Sequence, residues 1–106
     1  MFVILWEFEV KPGSEPAFER AYGPQGDWVR LFRSNPHYRS TDLLRDTSRP
    51  RIYCTIDYWD SAVAYENFKN SHREAYQALD RVMGGLTLRE RQIGSYSQIS
   101  PAAPSL

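Results

Sequence analysis

Nothing in this chain approaches the roughly 20 consecutive apolar residues that a helix needs to cross a bilayer. That removes helical membrane proteins from consideration. The opening stretch from Phe2 to Val10 alternates with Glu7 and Glu9 and has neither a basic n-region nor a small-residue cleavage site, so no secretory leader is expected. Cysteine is nearly missing too. The single Cys54 cannot form an internal disulfide, so a reducing compartment and a cytoplasmic location are expected. Charge is balanced, with 13 basic and 13 acidic residues and no long block of either sign. A nucleic-acid-binding surface, which shows as a basic excess or stripe, is argued against. There is no G-x-G-x-x-G, no P-loop and no Cys/His cluster at metal-ligand spacing, so nothing calls for a bound nucleotide, flavin or metal. The expected cofactor is none.

What is present in quantity is aromatic: 14% of 106 residues, with three Trp and seven Tyr. Flat amphipathic side chains suit a pocket for a ring-shaped ligand, and equally suit a small core filled by few large residues. Apolar residues at 42% and charged residues at 25% belong to an ordinary globular domain. The length predicts one such domain over residues 1–99, followed by a tail, Ser100 to Leu106, whose S-P-A-A-P-S-L composition predicts disorder.

The stretch Ile52 to Val82 organises the rest. Ile52 to Trp59 is β-branched and aromatic, whereas Tyr65, Phe68, His72, Tyr76, Leu79 and Met83 recur three and four apart, so a strand runs into a long helix. Asp60 is the expected N-cap. Upstream, Phe2, Ile4, Trp6, Phe8 and Val10 form the apolar face of a first strand, and Val3, Leu5, Glu7 and Glu9 the other. Pro12-Gly13 closes that strand, Ser14 caps a helix with Pro16 in its first turn, and Gly23-Pro24-Gln25-Gly26 interrupts the helix before a second segment from Asp27 to Asn35. That break reads as a surface loop or the lip of a pocket. Tyr38 to Asp46 is a polar edge strand. Gly84-Gly85 stops the later helix by taking the left-handed conformation, and Leu86 to Ile93 is a last strand.

This order, β-α-β-β-α-β, is the split βαβ arrangement of the ferredoxin-like fold, an α+β class with a four-stranded antiparallel sheet. Two helices cover one sheet face and leave the other open. In the third strand Ile52, Cys54, Ile56 and Tyr58 are read as facing the helices. Val3, Leu5, Tyr53, Asp57 and Trp59 are then read on the open face, where a homodimer is the simplest cover. Asp57 is expected there to meet Arg89 or Arg91.

Three segments carry a family resemblance: Lys11-Pro12-Gly13, Tyr58-Trp59-Asp60-Ser61 and Ser71-His72-Arg73-Glu74-Ala75-Tyr76. In this order they resemble the antibiotic biosynthesis monooxygenase family, over roughly residues 2 to 95. The resemblance implies a dimeric α/β barrel of two ferredoxin-like subunits. It also implies a small aromatic substrate and molecular oxygen as partners, with oxidation of hydroquinone-like or polyphenolic compounds to quinones without metal or flavin. A heme-degrading branch of the superfamily uses Asn, Trp and His at positions that fall near Trp6, Phe68 and Tyr76. All three differ, which argues against that activity.

Within this frame His72 is the first choice for a base, because imidazole accepts a proton near neutrality; an inert histidine at the helix–sheet rim is the alternative. Tyr76 is read as a catalytic donor of a hydrogen bond to a substrate oxygen, or else as a core residue with its hydroxyl satisfied. Trp6, Tyr58 and Phe68 are read as substrate-binding walls and donors, or else as core. Cys54 reads as a small core residue. A non-catalytic dimer that holds a small apolar ligand is the competing function.

Overall fold

The alternation of Phe2–Val10 becomes strand β1, in which Ile4, Phe8 and Val10 are buried, as the apolar face requires. The computed structural model describes residues 1–99, so the predicted disordered tail at 100–106 lies outside the described residues. Strands β2 (Tyr38–Arg45), β3 (Ile52–Trp59) and β4 (Thr87–Ser97) complete one antiparallel sheet in the order β2-β3-β1-β4. Polar β2 sits at an edge, as its composition predicts.

Helices α1 (Glu15–Tyr22), α2 (Asp27–Phe32), α3 (Ala62–Ser71) and α4 (Arg73–Met83) cover one sheet face. Gly13, at φ 84, makes the turn out of β1 in a conformation that costs a side-chain-bearing residue strain. Ser14 stands at the N-cap of α1 without a side-chain cap bond, and a proline occupies the first turn. The Gly23–Gly26 break is closed by a 2.9 Å bond from the Gly26 N–H to the Gly23 carbonyl. Gly26 also passes so close to the carbonyls of Arg20 and Ala21 that a Cβ would collide with them.

The core lies between helices and sheet and is built from rings. Phe18 stacks on Tyr22 at 4.2 Å, Phe8 meets both, and Tyr53 approaches Phe18 at 4.9 Å. Further along, Trp59 is surrounded by Phe32, Tyr38, Tyr65 and Phe68 at 5.2–5.6 Å. Each fully buried side chain of this size contributes about 1.5–3 kcal/mol or more of transfer free energy.

Strand β3 is turned over relative to its sequence reading. Directly opposed residues of an antiparallel pair share a face. The register Phe2↔Trp59, Ile4↔Asp57, Trp6↔Thr55 and Phe8↔Tyr53 therefore puts Tyr53, Thr55, Asp57 and Trp59 on the helix side, and all four are buried. Cys54, Ile56 and Tyr58 share the open face with Val3, Leu5 and Glu7. Asp57 accordingly meets neither Arg89 nor Arg91; those arginines pair with Glu9 and Glu7.

Three terminal details also differ. Asp60 is not the cap of α3: its carboxylate binds His37 and Arg39, and the Ser61 Oγ accepts from the Ala64 N–H instead. The long helix is split at His72 (φ −119, ψ 28), where the Ser71 hydroxyl and His72 Nδ1 both turn back onto the Phe68 carbonyl, which also keeps its 2.9 Å ladder bond from the His72 N–H. Gly84 is right-handed (φ −58), so α4 tightens into a 3-10 turn over Gly84–Leu86 rather than ending in a left-handed glycine.

Candidate active site

Between the helix-side face of the sheet and the helices lies a cavity of about 50 Å³. Every strand contributes to its lining, and so do α1, α2 and α4. Trp6, Thr55 and Asp57 come from the sheet, Trp28 from α2, and Tyr76 and Asp80 from α4. Glu90 of β4 closes the ring, and exposed Asp80 and Glu90 form its mouth. The space admits water. Cavities on the order of 150 Å³ admit benzene, so an aromatic ligand must displace the half-buried walls Trp6 and Tyr76.

Asp57 is the chemically distinctive group. It is 8% exposed, on the sheet floor beneath these rings. Its Oδ1 accepts a 2.7 Å hydrogen bond from Thr41 Oγ1, and Thr41 Oγ1 in turn accepts one of 2.7 Å from the Tyr38 hydroxyl. Burial in low dielectric pushes the Asp57 carboxyl from 3.8 up to about 6, while the Thr41 hydroxyl works in the opposite direction. A carboxylate tuned towards neutrality, with its second oxygen unbonded among the described residues, can take a proton from an acidic ligand.

Two donors accompany it. Burial raises the Tyr76 phenol above its ordinary range, so it stays protonated and able to donate. The Trp28 indole N–H is buried and makes no well-aligned hydrogen bond among the described residues, although it lies close enough to the Tyr22 hydroxyl to favour its ionised form by hydrogen bonding. A buried N–H without an acceptor carries a penalty that a ligand oxygen would relieve. No three His, Cys, Asp or Glu side chains converge as a metal site among the described residues.

Of the residues singled out from sequence, Trp6 and Tyr76 line this cavity together. Phe68 lies deeper, fully buried between Phe32, Trp59 and the His72 ring. His72 stacks on Phe68 at 4.5 Å with Nδ1 directed at Ser71 Oγ and the Phe68 carbonyl, and does not line the cavity. Tyr58 is on the opposite face of the sheet, its hydroxyl bonded to Asp42 at 3.0 Å. Sequence reasoning missed Asp57 and Thr41. Only the β3 register, which no local pattern encodes, turns them inward.

The sequence profile described as antibiotic biosynthesis monooxygenase matches residues 1–80. The chain belongs to the antibiotic biosynthesis monooxygenase family. Its fold is shared with the crystal structure of a single-residue variant of SnoaB, described as a cofactor-independent oxygenase from Streptomyces nogalater. The match has TM-score 0.75 and 15% identity over 97% of each chain. A Deinococcus radiodurans protein carrying the same family description matches at TM-score 0.74 and 12% identity, over 99% of each chain. A Mycobacterium tuberculosis protein matches at TM-score 0.72 and 16% identity, covering 96% of this chain and 98% of that one. At these identities the likeness establishes the fold shared by family members. No curated protein matches the chain. No described helix is long and apolar enough to cross a membrane.

Proposed function

We propose that this family member is a cofactor-independent monooxygenase that oxidises a phenolic, quinol-like substrate with molecular oxygen. The observation that carries the reading is Asp57, a buried carboxyl raised to about 6 on the floor of an aromatic cavity. Oxygen in its ground state accepts electrons one at a time, and a phenolate donates one far more readily than a phenol. Asp57 takes the phenolic proton. The phenolate passes one electron to O₂, and the phenoxyl radical and superoxide combine at a hydrogen-bearing ring carbon ortho to the phenolate oxygen to give a peroxide anion, which takes a proton back from Asp57. Loss of that ortho hydrogen as a proton, with cleavage of the O–O bond, leaves a hydroxyquinone and water. One oxygen atom enters the substrate and the other becomes water. Trp6 stacks the ring, while the Tyr76 hydroxyl and Trp28 N–H donate to oxygen as charge develops.

A second copy of the chain completes the protein in this reading. Val3, Leu5, Cys54, Ile56 and Tyr58 lie half-buried on the sheet face that the helices leave uncovered, and Leu44 is exposed there. Face-to-face association buries this patch, as the family's α/β barrel does.

Oxygen uptake on a panel of hydroquinones tests the proposal, with Asp57→Asn and His72→Gln compared in parallel. General-base catalysis is worth about 10²- to 10⁴-fold. A loss of that size in kcat is expected for Asp57→Asn. A comparable loss in His72→Gln alone returns the base role to His72. Tight binding of the panel without uptake supports the ligand-holding module.

A further inference from the structure

We infer that the substrate of this cavity is a phenol bearing a protonated amine, selected by Asp80 and Glu90 at the mouth; this rests on the reading of the cavity as a substrate site. The observation is a charge imbalance confined to one face of the sheet. On the open face both carboxylates of β1 have guanidinium partners: Glu7 has Arg49 at 2.9 Å and Arg91 at 3.2 Å, and Glu9 has Arg89 at 3.0 Å. On the cavity side Asp57, Asp80 and Glu90 surround one space. None of the three forms an ion pair among the described residues, and no Lys, Arg or His among those residues lines it. Glu90 is raised by burial and then by the charge of Asp80, so the two mouth carboxylates feel each other.

A cavity of this kind attracts cations twice over. Its carboxylates set a negative potential, focused by low-dielectric walls. The rings of Trp6 and Tyr76 add cation–π attraction of about 0.5–2 kcal/mol per well-placed ring. A separate feature fixes the rest of the ligand. Trp28 is 8% exposed and its indole N–H makes no well-aligned hydrogen bond among the described residues, with only the Tyr22 hydroxyl close by, so a ligand oxygen that accepts from it is favoured. Phenol oxygen and ammonium together satisfy both.

The proposed chemistry needs the same cation. Phenolate and superoxide would form beside the carboxylates of Asp80 and Glu90, with Asp57 neutral once it has taken the proton. The nearby Lys69 ammonium sits over the Tyr65 and Tyr76 rings, at 5.2 and 5.6 Å, and is not among the cavity's lining residues. An ammonium carried by the substrate offsets the charge where it develops, whereas a carboxylate-bearing substrate meets like charge at the mouth.

Isothermal titration calorimetry under anaerobic conditions reads binding without turnover. Three hydroquinones that differ in one substituent are compared: methyl, carboxylate and aminomethyl. The aminomethyl compound is expected to bind about tenfold more tightly than the carboxylate at low salt, a difference of about 1.4 kcal/mol. The gap should narrow to about twofold or less in the double variant Asp80→Asn/Glu90→Gln, and shrink for the unsubstituted protein as salt is raised. Equal or tighter binding of the carboxylate, no binding of any of the three, or a preference that survives both the double variant and high salt overturns the inference. Selective ammonium binding without oxygen uptake leaves the charge selection standing and removes the oxygenase reading. Uptake that is fastest with the carboxylate compound does the reverse.

Discussion

Thr41 Oγ1 lies 2.7 Å from Asp57 Oδ1, across the β2–β3 ladder in which the two residues are directly paired. Because the Tyr38 hydroxyl already occupies the acceptor side of Thr41, the Thr41 proton is committed to Asp57. Asp57 is thereby oriented by one oxygen and left free at the other.

Thr41→Val keeps the shape of the side chain and removes that donor. A hydrogen bond to a charged group is worth about 1.5–3 kcal/mol, or about one to two pH units. The acid limb of kcat/KM is expected to move upward from about 6 by that amount, with Tyr38→Phe shifting it less in the same direction. A pH–rate profile checks this. A uniform loss of rate with an unmoved limb would show that Thr41 only supports packing.

The raised pKa of Asp57 also has a sign in stability. A carboxyl at 3.8 when unfolded and about 6 when folded holds its proton more tightly in the folded state. Its favourable contribution is complete below about pH 4 and is lost as pH rises through 6; ionisation in the folded protein then costs about 3 kcal/mol as an order of magnitude. Asp57→Asn is therefore expected to melt higher than the unsubstituted protein at about pH 7.5 and to lose that advantage at about pH 4. Thermal denaturation at the two pH values measures it, and a lower Tm for the variant at the higher pH contradicts the assignment.

The two faces of β3 make opposite predictions. Trp59, 0% exposed among four aromatic rings, is expected to cost about 3–5 kcal/mol on truncation to Ala, read by urea denaturation. Ile56 sits on the open face, and Ile56→Arg is expected to leave the helical circular dichroism intact while shifting the mass by light scattering from dimer to monomer. The reverse pattern, a monomeric Trp59→Ala and an unfolded Ile56→Arg, would restore the inverted strand.

How far the sequence can be read follows from which signals are local. Element order, the edge position of β2, the G-P-Q-G break and the apolar face of β1 follow from periodicity, proline and glycine, which act over a few residues. So does the family, through short motifs at turns. Strand β3 is different. I-Y-C-T-I-D-Y-W carries large apolar residues on both alternations, so its own pattern sets no phase, and a shift of one residue exchanges the faces. The helix break at His72 likewise has no proline or glycine beside it to announce it.

The sequence by itself thus determined a ferredoxin-like βαββαβ domain of the antibiotic biosynthesis monooxygenase family, with Trp6 and Tyr76 among its candidate site residues, because the patterns responsible are local and redundant. Only the tertiary structure decided that Asp57, beside Thr41 and under Trp28, belongs to the cavity while Tyr58 and His72 lie outside it. The pairing of β1 with β3 sets that choice, and cross-strand register depends on contacts between residues about fifty positions apart, such as Ile4 and Asp57.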